Sequence, residues 1–172
     1  MCEASFDEYE PSIRAYGESY SGIACVAYDG TQLVGAATAL PLLEKSELFI
    51  TPVQQSGFDL SHLLYLGEVV VDRFYRNQSI GSTLFEMMCN EIEAHGTYTH
   101  CLIYTVEPAA GEEIYAPKQD KPVQLFWEKR GFVPLYEHRF TASWQSIVSH
   151  TLTVHGMTPL IKEMNSSYQE QR

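Results

Sequence analysis

The apolar and polar positions divide the chain into short apolar runs and one long stretch of helical period. Residues 22–28 and 32–40 are apolar runs on either side of Asp29-Gly30. That arrangement predicts an antiparallel hairpin, because its turn needs a residue at positive φ. Pro41 stops the second run. Residues 63–71 are nearly continuous apolar sequence and end in three β-branched valines, which predicts a central strand buried on both faces. From residue 80 to residue 95 the period becomes helical, with Ile80, Leu84, Met87, Met88 and Ile92 on one face. Residues 100–106 read as a second buried strand. A loop with Pro108, Gly111, Pro117 and Pro122 leads to a short helix over 123–129, which Gly131 ends. Residues 132–140 and 154–162 are further strands, with Pro159 placing the latter at a sheet edge. At the start, residues 6–16 predict a short helix, with Pro11 tolerable only near its first turn. Residues 42–62 form a long excursion with about one helical turn at Leu48-Phe49-Ile50, and such excursions often carry function. The resulting order predicts an α/β (α+β) fold, a mixed sheet of about six strands with helices packed on it.

Length and composition narrow this picture. The 172 residues fit one domain, over 1–164. The polar tail 165–172 buries too little apolar surface to offset its ordering entropy. A net charge of -11 disfavours nucleic acid and anionic lipid and weakly favours cationic partners such as amines. The first residues show no secretory pattern, and no apolar stretch approaches a membrane span. Cys2, Cys25, Cys89 and Cys101 form no CxxC pair and read as reduced thiols, so a cytoplasmic location is expected. The six histidines include no HExxH, so no metal site is expected.

The chemistry concentrates where strand Val69-Val70-Val71 runs through Asp72-Arg73-Phe74-Tyr75 into Arg76-Asn77-Gln78-Ser79-Ile80-Gly81-Ser82-Thr83. The first turn of a helix leaves backbone N–H groups without internal partners and carries partial positive charge. Small residues at Ser79, Gly81 and Ser82 let that backbone approach a phosphate, and Arg76 adds a charge-assisted donor. No Gly-Lys-Ser/Thr and no GxGxxG occurs, which sets aside a P-loop and the dinucleotide fingerprint. An ordinary strand-to-helix turn remains the competing reading of the loop. Burial of this turn under protein would remove the cradle.

Arg76-Asn77-Gln78-Ser79-Ile80-Gly81 resembles the acyl-CoA pyrophosphate loop of GNAT acetyltransferases, Arg/Gln-x-x-Gly-x-Gly/Ala. Residues 69–71 resemble the end of that fold's fourth strand, whose exposed backbone pairs with the pantetheine arm. Leu125-Phe126-Trp127-Glu128-Lys129-Arg130-Gly131-Phe132 is similar to the family's aromatic-Glu-Lys-x-Gly-Phe signature. The resemblance covers roughly residues 22–164 and implies a mostly antiparallel twisted sheet. Gly67-Glu68, Phe126-Trp127, Trp144 and Met157 bring it closer to one bacterial subgroup with a generic acetyltransferase label. Three positions depart from the pattern. Ser79 stands where the family usually has glycine, Trp127 where many members have a tyrosine acid, and the usual first strand and first helix are expected to be missing.

The resemblance implies acetyl transfer from acetyl-CoA to a primary amine of a small molecule or peptide, by direct attack in a ternary complex. It implies an oxyanion held by a backbone N–H near Val70 or Val71. Glu68 is the first candidate for the base, as the only charged residue in an apolar strand, where burial raises a carboxyl. Tyr104 and Tyr115 are candidates for the acid, since indole N–H cannot serve as one. Glu107, Glu112 and Glu113 form a candidate acidic rim, and Arg73, Lys129 and Arg130 candidate phosphate-screening cations. Phe126 and Trp127 read as core residues, one of which also suits the pantetheine tunnel. Implied partners are acyl-CoA and an amine acceptor, with homodimerisation left open. Two alternatives stand beside this reading: a non-catalytic acyl-CoA-binding or regulatory module, and an unrelated α/β anion-binding protein.

Overall fold

The computed structural model describes residue 14 and residues 16–107, 123–145 and 152–164. Seven strands form one sheet: β1 (Ile23–Asp29), β2 (Gln32–Pro41), β3 (Leu63–Val71), β4 (His100–Val106), β5 (Val133–Pro134), β6 (Phe140–Gln145) and β7 (Leu152–Glu163). Among the described residues, three complete α-helices accompany them: α1 (Glu47–Ile50), α2 (Ile80–His95) and α3 (Val123–Glu128). Residues 16–18 are helical and precede β1, whereas most of the helix expected over 6–16 lies outside the described residues. The expected absence of a first strand and first helix, the loop around Tyr115, and the tail 165–172 also fall outside them.

The strand order is β1-β2-β3-β4-β7-β5, with β6 also paired to β7. Every pair is antiparallel except β3–β4. The hairpin turns at Gly30, whose φ of 57° is the left-handed geometry a tight β1–β2 link needs. Strand β3 is central, but it is buried on both faces only over residues 63–66; residues 67–71 are half-buried or exposed, where β4 no longer pairs with it.

Three expectations are corrected. The strand expected over 132–140 is broken into β5 and β6 by the 3-10 turn Tyr136–His138, which makes seven strands rather than six. Strand β7 is not an edge strand, since β4 flanks one side and β5 and β6 the other. Pro159 is accommodated because its missing N–H faces the interval between β5 and β6. There its carbonyl instead accepts the Leu135 N–H at 2.8 Å. On α2 the buried face is Leu84, Phe85, Met88, Cys89 and Ile92. Met87 is exposed, because it lies off the stripe that 85, 88, 89 and 92 define.

Each sheet face carries its own core. One face packs on α2 through Leu64, Leu66, Leu84, Phe85, Met88, Ile92, Ile103 and Leu160. The other packs beneath residues 42–62 through Leu40, Leu42, Val53, Leu63, Tyr65 and Leu102. Cys25, Cys89 and Cys101 are buried free thiols. Among the described residues no helix is long and apolar enough to cross a membrane, and no group of three His, Cys, Asp or Glu is placed to hold a metal.

Leu160 is fully buried in the C-terminal half of β7, against the α2 core. Leu160→Ala is expected to cost about 2–5 kcal/mol in chemical denaturation, from lost burial plus the cavity left behind. A cost under about 1 kcal/mol would mean that this part of the core collapses around the gap.

A candidate active site where two central strands part

Strands β3 and β4 pair only at Leu63–His100, Leu64–Cys101 and Tyr65–Leu102. Beyond that, residues 66–71 and 103–106 run on without pairing to each other. The sheet therefore opens into a wedge between its two halves. The edge of β3 facing the wedge has a definite set of backbone groups. Asp72 N–H donates to the Val34 carbonyl at 2.9 Å and Glu68 N–H to Thr38 Oγ1 at 3.2 Å, both toward β2. Successive residues of a strand present their N–H and C=O to opposite sides. The peptide groups of Val69 and Val71 therefore face the wedge, while those of Val70 face β2. Of the two positions expected to supply an oxyanion donor, only Val71 has its N–H on the open side, and Val69 joins it.

Residue 67 is a bulge. Thr38 pairs with Glu68 and Ala39 with Leu66, so Gly67 is an extra residue in β3. It reverses the parity of the strand. Leu64 and Leu66 before the bulge, and Val69 and Val71 after it, all pack toward α2. Glu68 is thereby brought to the face of Leu63 and Tyr65. A Cβ at 67 would overlap the Tyr16 hydroxyl, so any larger residue here would displace that phenol. That phenol shares a hydrogen bond with Thr38 and is pushed up to about 12, by burial first and by the nearby Glu68 charge second.

Glu68 lines this cleft. It keeps contact with solvent, yet protein surrounds it closely enough that desolvation raises its carboxyl above the ordinary 4.5. The Lys45 ammonium pulls it partly back. Lys45 is half-buried, at the end of the 3-10 turn Leu42–Glu44. Its Nζ lies 5.4 Å from the Tyr16 ring centroid, 4.8 Å from Phe49 and 5.1 Å from Tyr65. Desolvation lowers its pKa, and Glu68 opposes that shift. Tyr104 belongs to the same aromatic cluster, 5.8 Å from Tyr65 and 5.7 Å from Phe49. Its hydroxyl donates to the Phe49 carbonyl, and burial raises its pKa.

The phosphate-cradle candidates lie at the open end of the wedge. Arg76, Asn77, Gln78 and Ser79 are all exposed, so the turn is not covered by described protein. Asn77 and Ser79 both hold left-handed backbone, with φ of 61° and 63°. Ser79 is the N-cap of α2 without a side-chain cap bond, although its carbonyl accepts the Thr83 N–H at 3.0 Å. The amides of Ile80, Gly81 and Ser82 begin the helix and have no intrahelical acceptor. Arg76 Nε donates to the Val71 carbonyl at 3.2 Å, which ties the loop to the end of β3.

A second cation reaches this helix start from α3. Arg130 donates from Nη2 to Ser82 Oγ at 2.6 Å and from Nη1 to the Phe126 carbonyl at 2.9 Å. Its guanidinium stacks 3.4 Å from the Phe126 ring centroid. Phe126 thus holds Arg130, and Lys129 is exposed at the end of the same helix. Trp127 packs edge-on against Phe85 and Phe132 as part of the core. Arg73 lies over its neighbour Phe74. Glu107 forms an ion pair with Arg139 at 3.1 Å and accepts the Thr158 hydroxyl at 3.3 Å, so it is a structural partner rather than a free rim charge. Glu112, Glu113 and Tyr115 lie outside the described residues. Tyr16, Lys45 and Phe49 were missed by sequence reasoning. The available signal was the functional weight of the 42–62 excursion, which carries two of them.

A model of the acetyltransferase (GNAT) family matches residues 2–132. The chain belongs to the GNAT acetyltransferase family. A search of curated protein sequences finds no match. Among solved structures, the chain is similar to the ribosomal-protein-S18-alanine N-acetyltransferase of Escherichia coli, with TM-score 0.60 and 11% identity, covering 95% of this chain and 81% of that one. It is also similar to NAA60 of Arabidopsis thaliana in complex with a bisubstrate analogue, with TM-score 0.59 and 14% identity over 96% and 86% of the two chains. An aminoglycoside 6'-N-acetyltransferase complexed with coenzyme A matches with TM-score 0.57 and 17% identity, over 92% and 81%. These likenesses establish the GNAT fold.

Serine at φ 63° pays for its Cβ where glycine would not. Ser79→Gly is therefore expected to raise unfolding free energy by about 0.5–1 kcal/mol, net of the extra backbone entropy that glycine loses. Unchanged or lower stability in denaturant titration would show that the serine hydroxyl itself supports the turn.

Proposed function

We propose that this GNAT protein is an acetyl-CoA-dependent N-acetyltransferase acting on a primary amine of a small molecule or peptide. The observation that carries the reading is the carboxylate of Glu68, turned by the Gly67 bulge onto a cleft wall beside the parted strands. An amine arrives charged and must become neutral before it attacks a thioester. A carboxyl with a raised pKa accepts that proton, directly or through water. The aromatic wall of Tyr16, Phe49 and Tyr65 already accommodates an alkylammonium, that of Lys45, which supports an amine acceptor on this side.

The wedge and loop suit the other substrate. Open amides at the start of α2, with Arg76 and Arg130 nearby, fit a diphosphate by charge and by donor direction. The exposed edge of β3 suits an amide-bearing arm, and the N–H groups of Val69 and Val71 are our candidates for the oxyanion. Ser79, Gly81, Ser82 and Thr83 frame the phosphate site in this reading. For the departing thiolate, Tyr16 is the phenol beside the bulge and stays protonated at neutral pH. Tyr104 is already bonded to a carbonyl.

One observation favours a second reading. Trp127 is locked among Phe85, Phe126 and Phe132, so the position where many members carry a phenolic acid has none. A non-catalytic acyl-CoA-binding module would have the same geometry.

Release of free thiol from acetyl-CoA over a panel of amines tests both. Glu68→Gln is expected to lower kcat/KM by about 10²–10⁴-fold. The wild-type rate should rise with pH through a carboxyl titration above the usual range, and that limb should vanish in the variant. Unchanged turnover in Glu68→Gln removes our base. Thermal stabilisation by CoA without turnover selects the binding module, and no stabilisation removes the reading of the wedge as an acetyl-CoA site. Stability supplies an independent sign. A carboxyl raised in the folded state favours folding while protonated, and that contribution is lost as pH rises through its folded value. Glu68→Gln should thus leave stability at neutral pH unchanged or higher.

A further inference from the structure

The acceptor side of the cleft already holds an amine that belongs to the chain. Lys45 leaves the backbone between two fixed points. Its N–H donates to the Leu42 carbonyl at 2.9 Å, with Leu42 fully buried, and α1 begins two residues on. The side chain crosses toward β3 rather than out to solvent, and Nζ ends among three aromatic rings within 5.4 Å of their centroids. Its near opposite charge is Glu68, the same carboxylate to which the proton-accepting role is given above. Tyr16, one wall of the cage, places its hydroxyl over Gly67, where β3 leaves its pairing with β4. Lysine 162, by contrast, lies on the opposite face, 5.2 Å from the Phe85 ring and beside Cys89. Lys129 stands exposed at the end of α3.

We propose that Lys45 is a site of self-acetylation, its side-chain amine taking the acetyl group from acetyl-CoA bound by the same chain. This rests on the reading that the wedge binds acetyl-CoA. Neutral Nζ attacks the thioester carbonyl carbon, forming a C–N bond as the C–S bond breaks. One N–H proton passes to the Glu68 carboxylate and on to solvent. Coenzyme A leaves as a thiolate that takes up a proton, so the products are acetyl-lysine and the free thiol. Burial aids the step, because desolvation lowers the lysine pKa and enlarges its neutral fraction. The modification removes the cation facing Glu68 and fills the cage with a neutral amide, so it also changes the site that an external amine must enter.

The test uses the full chain and acetyl-CoA with no added amine, quenched at intervals and read by peptide mass spectrometry at Lys45, Lys118, Lys121, Lys129 and Lys162. Lys45 is expected to be acetylated at least about tenfold faster than Lys129, as holding the amine near the thioester predicts. The rate should not depend on protein concentration. It should fall in Glu68→Gln and lose its preference for Lys45 in urea. Modification of Lys45 no faster than Lys129, or at a rate rising with protein concentration, overturns the proposal. A melting scan with acetyl-CoA on the same sample separates the two levels. Stabilisation with an unmodified Lys45 overturns self-acetylation and leaves the acetyltransferase reading standing. Absence of any stabilisation overturns both.

Discussion

Strand β3 alternates its side chains between the two sheet faces, and one inserted residue at Gly67 decides which face each later residue meets. Were Gly67 a regular paired residue instead, Glu68 would point into the packing against α2, while Val69 and Val71 would face the cleft. With the bulge, two valines extend the α2 core and the only charged residue of the strand joins the opposite wall. The irregularity is held from both sides. Thr38 takes the Glu68 N–H that the shifted ladder leaves over, and the Tyr16 phenol occupies the volume where a side chain at 67 would stand. A backbone feature of one residue thus sets the chemistry of the cleft.

The parting of β3 and β4 depends on the same region. These strands are parallel and pair over three residues each, after which β3 stays with β2 and β4 with β7. The wedge leaves backbone donors unpaired on the β3 edge, and α2 opens at its end with further unpaired amides. Reaching that helix start requires left-handed backbone at Asn77 and Ser79, a strain of about 1–3 kcal/mol for each such residue, typical of binding loops. Arg76 ties the loop to the Val71 carbonyl, and Arg130 reaches Ser82 across from α3. Two guanidinium groups are therefore tied to the loop and helix start of a strongly acidic protein.

On the cleft wall, Glu68 and Lys45 are each desolvated, and each offsets part of the other's penalty. The aromatic rings around Lys45 favour the ammonium by cation–π attraction, of about 0.5–2 kcal/mol depending on solvent access. Such a pair is easily retuned by whatever enters. In the proposed reaction an incoming amine would compete for both the cage and the carboxylate, linking acceptor binding to the charge state of Glu68.

The chain sequence by itself determined the elements whose signals are local. Asp29-Gly30 between apolar runs specified the hairpin, and three valines specified a central strand. The small residues around Gly81 after that strand marked the helix opening, and the family signature made it the candidate phosphate loop. Glu68 was legible because a lone charge in an apolar strand is anomalous at any register. Tertiary structure alone decided the rest, because it turns on contacts distant in sequence. The face that Glu68 meets depends on a bulge opposite Thr38, about thirty residues away in the chain. Pro159 became tolerable in an interior strand because β5 and β6 leave a gap beside it. Trp127 packs as the core residue that the sequence predicts, and the structure supplies only its partners, Phe85 and Phe132. Lys45, Tyr16 and Phe49 carry no local mark, since a lysine near a turn and aromatics in a loop look the same whether solvated or caged. Their meeting over β3 is a property of packing, which pairwise sequence spacing does not encode.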